Sequence, residues 1–158
     1  MTSTYRIEDE PQASTPSNFV VNPFWPLLAT MLGGVWIGWT WFIFNGFAVG
    51  SPTRQREIAW IIGGFLGATV LAIGILMLYN NGIIQTRSGI QYAGLVLIVW
   101  KLAISYIVFS LQARTFELYE YYGGVVKNGI WVLILAAFFG RKVVLTLLPF
   151  DLWILVMR

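Results

Sequence analysis

The sequence contains no cysteine and no histidine. Disulfides, thiolate chemistry, imidazole proton transfer and the usual zinc or haem ligation are therefore absent. Charge is scarce as well, with 11% charged residues against 58% hydrophobic ones. The seven carboxylates are scattered, three of them in the first ten residues, and no i, i+3 or i, i+4 acidic pair lies inside an apolar run as bundle metal sites require. No metal and no cofactor is expected. Neither a G-x-x-x-x-G-K-[ST] nor a G-x-G-x-x-G pattern occurs, so nucleotide binding has no support. The formal charge of +3 does not point to nucleic acid, because several basic residues sit inside or beside apolar runs.

Those runs are the chain's main content. Crossing a hydrocarbon core about 30 Å thick takes roughly 20 helical residues, and the text supplies such runs repeatedly. The expected fold is all-α, a small polytopic membrane protein with about four transmembrane helices. Residues 1–21, rich in Ser, Thr, Pro and acid, read as a disordered polar tail, and residues 22–158 as the membrane domain. The first span is placed at 23–49, where Asn22 can cap a helix and Pro23 suits its first position. The second is placed at 57–79 and ends at the Asn80–Asn81–Gly82 turn signal, and the third at 89–111.

Residues 112–128 mix tyrosines with Arg114, Glu117 and Glu120, and read as an interfacial connector stopped by Gly123 and Gly124. The last apolar region is divided by Gly140, Arg141 and Lys142, and one fourth span is expected within 129–157, bent near Pro149. A re-entrant first half is its rival. Arg54, Arg56, Arg114 and Lys127 then share one side, which by the positive-inside rule sets both termini outside the cytoplasm.

Two stripes of small or polar residues recur at spacings of four and seven: Gly34, Gly38 and Asn45 in the first span, and Gly63, Gly67 and Gly74 in the second. They are expected to be packing faces that join the two spans as a hairpin, with self-association as the alternative. In the third span Gly94, Lys101, Ser105 and Gln112 fall in one narrow arc, which turns Lys101 toward the bundle interior. A mid-span lysine costs about 2.5 to 3.5 kcal/mol unless it is paired or wet. Asp151 is the expected partner if the fourth span is centred on it, whereas Arg141 and Lys142 reach mid-depth if that span starts at residue 129.

The intramembrane polar candidates are thus Lys101, Ser105, Asp151, Arg141 and Lys142. A Ser105–Lys101 nucleophile would need an oxyanion hole that the sequence does not display. The expected function is that of a non-enzymatic accessory or structural subunit of a membrane complex, a multi-pass protein of the cell membrane. Its expected partners are the lipid bilayer and other membrane subunits or a second copy, with no nucleic acid. The alternatives are a small transporter or channel using Lys101 and Asp151, and an intramembrane enzyme.

Overall fold

In the computed structural model, residues 17–147 and 151–157 are described, with side chains for 18–139, Thr146, Leu152 and 155–157. After a 3-10 turn at Ser17–Phe19 come six helices: α1 (Phe24–Gly33), α2 (Val35–Val49), α3 (Arg54–Asn80), α4 (Arg87–Tyr121), α5 (Ile130–Leu147) and α6 (Asp151–Met157). No strand occurs among the described residues. The lone β-type contact is a parallel bridge between Val21 and Lys127, where Lys127 N donates to Val20 O at 2.7 Å.

The single helix expected over 23–49 is not formed. Gly34 adopts φ 95°, a left-handed value that favours glycine, and the chain reverses there. In a continuous helix Thr30 and Gly38 would stand about 12 Å apart. Instead, a Cβ built on Gly38 would lie 2.8 Å from Thr30 Cα. Farther along the pair, Val21 N donates to Asn45 Oδ1 at 3.0 Å, so α1 and α2 run antiparallel as a tight hairpin. Their lengths are about 15 and 22 Å, each short of a bilayer core. Both ends of the hairpin sit at one end of the molecule, called the base here, and its tip stops partway along the other helices.

The helix boundaries follow local chemistry. Asn22 Oδ1 accepts from Phe24 N at 2.9 Å at the head of α1. At the end of α2, Gly50 takes φ 71° while Ser51 N reaches back to Gly46 O at 2.9 Å, closing orphan carbonyls. Gly82, at φ 75°, turns the chain after α3, and Thr86 Oγ1 caps α4 by accepting from Gly89 N at 3.1 Å.

Helices α3 and α4 are long enough to cross a membrane, about 40 and 52 Å by the rise per residue. They pack antiparallel, with Ile104 over Gly64 and the Trp100 ring over Gly67. Helix α2 runs parallel to α4, Trp39 meeting Ser105 and Asn45 meeting Gln112. Helix α1 runs parallel to α5, as Trp25 touches Gly129 and Gly33 approaches Ala136 O. Val35, Trp39, Phe42, Ile61, Ile104 and Val108 form the central core. The most apolar 18-residue windows of α3 and α4 are only 22% and 28% buried, whereas a core helix of a soluble domain is mostly covered.

Three sequence expectations change. The helical connector expected within 112–128 is not separate from the third span: through Tyr121 it is the continuation of α4, with Gly123 at φ 81° just beyond its end. The tail expected through residue 21 is packed at its end: Val20 is buried against Ala48, Val49 and Phe116. The last apolar region holds α5 and α6, and the bend expected near Pro149 lies outside the described residues. Finally, a Cβ on Gly63, Gly74 or Gly94 would meet no described residue within 4 Å, so among the described residues these are not packing positions. The glycines of α3 with a close neighbour among the described residues are Gly64, against Ile104 of α4 and Trp39 of α2, and Gly67, against Trp100 of α4.

Candidate functional site

Lys101 projects from α4 at the level of the hairpin tip and is 6% exposed. Its Nζ donates to Leu155 O at 2.9 Å. Leu155 is in the last turn of α6, where carbonyls lack intrahelical donors and the helix dipole is negative, so a cation is well placed there. Beside Lys101 lies a cavity of about 270 Å³ lined by Thr30, Met31, Val35, Ile98, Lys101 and Leu102. Its walls are mostly apolar, and Thr30 Oγ1 is engaged with Pro26 O at 3.0 Å.

Ser105, one turn along α4, is fully buried. Its hydroxyl donates to Lys101 O at 2.8 Å and accepts from Trp39 Nε1 at 2.9 Å. Both capacities serve packing: one bond is internal to α4, and the other ties α2 to α4. The ammonium of Lys101 is not among its partners. Asp151 is the first residue of α6, while Arg141 and Lys142 fall on α5, but these three side chains lie outside the described residues. The backbone partner of Lys101 that is described comes from α6.

A second polar cluster fills the base, and sequence reasoning passed over most of it. Glu57, in the first turns of α3, is 2% exposed. Ser51 donates to its Oε1, as does Thr53 at 2.8 Å. Gln112 Nε2 donates to Glu57 Oε2 and to Phe42 O, each at 2.7 Å, and Gln112 Oε1 accepts from Asn45 Nδ2 at 3.3 Å. One carboxamide thereby links α2, α3 and α4.

The close approach depends on Gly46, where a Cβ would stand 2.7 Å from Glu57 Oε2. Asn45 and Gln112 lay on the stripes read from sequence, but as packing neighbours, not as members of one network. Ser51 and Pro52 mark a helix start in the sequence and set Glu57 near the positive end of its dipole, but nothing in that pattern marks the acid as buried.

Chemically, the Lys101 site offers one cation beside an apolar cavity, and the base offers one carboxylate among neutral donors. Among the described residues no group of three or more Asp, Glu, His or Cys side chains is arranged to hold a metal. No protein-family model matches the chain, and no curated protein or solved structure matches it either, so a functional reading rests on this geometry.

Proposed function

We propose that this chain is a multi-pass cell-membrane protein acting as a non-catalytic structural subunit of a membrane complex. In this reading α3 and α4 cross the bilayer, and the α1–α2 hairpin re-enters from the base. The exposed apolar side chains support it: Leu66 and Val70 on α3, Val99 on α4, and Trp131 and Phe138 on α5 all face outward. The observation that carries the non-catalytic part is how the interior polar groups are used. Gln112 and Asn45 spend their hydrogen bonds on other segments, Ser105 divides its two between its own helix and Trp39 of α2, and Lys101 gives one to the end of α6. Such bonds fix which helices meet and at what register.

Topology follows from the re-entrant hairpin. The base carries Arg54, Arg56, Arg114 and Lys127, and the opposite end carries Arg87. The positive-inside rule then sets the base toward the cytoplasm. Since residues 17–23 are also at the base, they lie on the cytoplasmic side in this reading, the reverse of what a straight first span implies. The chain has no cysteine, so single-cysteine variants label cleanly. An impermeant maleimide applied from outside should label Ile83→Cys but neither Phe19→Cys nor Tyr122→Cys. Labelling of Phe19→Cys together with Ile83→Cys would mean a straight first span and sink this topology.

A second reading, a small transporter or channel, draws on the cavity beside Lys101. Replacing Lys101 with methionine separates the two. A subunit should keep its complex on extraction in mild detergent, with no change in the permeability of reconstituted vesicles. Loss of a solute flux in a normally folded Lys101→Met protein would exclude the subunit reading.

A further inference from the structure

Glu57 is the buried acid of the described residues, and every partner it has there is neutral. Arg54, on the same turn of α3, lays its guanidinium over the Phe47 ring at 5.5 Å. The positive end of α3 and three neutral donors spread part of the charge. A carboxylate taken out of water still lacks one compensating positive charge.

The surroundings also hold more oxygen than their hydrogens can serve. Ser51 Oγ and Thr53 Oγ1 stand 3.0 Å apart, either able to donate to the other, and both also reach Glu57 Oε1. Two hydroxyl hydrogens thus serve three oxygen–oxygen contacts. A third hydroxyl, that of Thr115, is fully buried and has no hydrogen-bond partner among the described residues. Buried hydroxyls are seldom left so. The register that pairs Gln112 with Glu57 and Ile104 with Gly64 sets Thr115 level with residues 53–54, one turn along α4 from Gln112 and on the same side of that helix.

We propose that this cluster of oxygens binds one monovalent metal cation of sodium's class, ligated by Glu57 Oε1 and the hydroxyl oxygens of Ser51, Thr53 and Thr115. All four donors are hard oxygens, which suit hard cations and disfavour thiophilic metals. One carboxylate matches one charge, whereas a dedicated calcium site draws on several. Binding requires little motion: a hydroxyl that donates to a carboxylate rotates about its C–O bond and turns a lone pair to the ion. Gln112 stays on Oε2, so the cation braces the α2–α3 turn against the base of α4. This inference does not depend on the subunit reading, and the maleimide labelling stands or falls separately from it.

The test is thermal unfolding of the full chain in detergent at fixed pH and ionic strength, with sodium chloride exchanged against choline chloride. Sodium should raise Tm to a plateau, by on the order of 5 °C at hundredfold excess over Kd. Glu57→Gln should abolish that rise. Thr115→Val, which removes only a partnerless hydroxyl, should keep the Tm seen in choline and lose most of the sodium increment, so it carries the test if Glu57→Gln does not fold. Equal Tm in both salts overturns the proposal, as does a sodium increment that survives Thr115→Val. A Tm that responds to pH and not to sodium would give the pocket to a proton and also overturn it.

Discussion

Replacing Gly38 with alanine should destabilise the protein by about 3 kcal/mol or more, the upper range for overpacking a tight site. The added methyl would lie 2.8 Å from both Cα and Cβ of Thr30. A side-chain rotation cannot relieve contact with a backbone atom, so α1 and α2 must separate by most of an ångström. Separation would loosen Val21 N from Asn45 and shift Val35 and Trp39 in the central core. Gly63→Ala and Gly74→Ala are the matched controls. Their methyls meet no described residue within 4 Å, and alanine favours a helix over glycine by about 1 kcal/mol, so these variants should be neutral or more stable. Reversible unfolding in mixed micelles measures all three, and a Gly38→Ala midpoint equal to that of the controls would disprove the hairpin.

Gln112→Leu should cost about 3–5 kcal/mol, the range for stripping one partner from a buried charge. Leucine fills a similar space but leaves Glu57 Oε2, Phe42 O and Asn45 Nδ2 without the bonds described above. Most of the loss should come from the abandoned carboxylate. Adding Glu57→Leu to Gln112→Leu should therefore recover part of it, with a coupling above about 1 kcal/mol in a double-mutant cycle. Strict additivity in that cycle would mean that the two side chains do not act as a unit.

The sequence displayed the helix ends better than the path between them. Asn22 with Pro23, Asn80 to Gly82, and Gly123 each marked a boundary that the chain respects, because capping and positive φ are decided by one or two residues. The reversal at Gly34 was not legible. Apolar residues flank it on both sides, and a hydropathy run of 23–49 looks the same whether the chain runs straight or doubles back. Only the adjacent Gly33 and Gly34 with Thr30 hinted at it.

The helical arc of Lys101, Ser105 and Gln112 was readable because a 3.6-residue period holds through α4, and all three side chains are buried. The same period continues past residue 111. There Arg114, Glu117 and Glu120 turn away while Thr115 and Phe116 turn in, and this mixture imitated an interfacial segment. Glu57 was hidden by its neighbours Arg54, Gln55 and Arg56, since one acid at a polar helix start gives no hint of burial.

The hairpin has a further consequence for biosynthesis. Its carboxamide anchor, Gln112, is translated 67 residues after Asn45 and 70 after Phe42, the two α2 residues it holds. A ribosome therefore releases the whole 23–49 run well before the group that fastens it has left the exit tunnel. In the proposed membrane reading, the nascent chain would meet the insertion machinery before α2 is tied to α4, and the side on which residues 17–23 rest would be fixed only once α4 has been delivered.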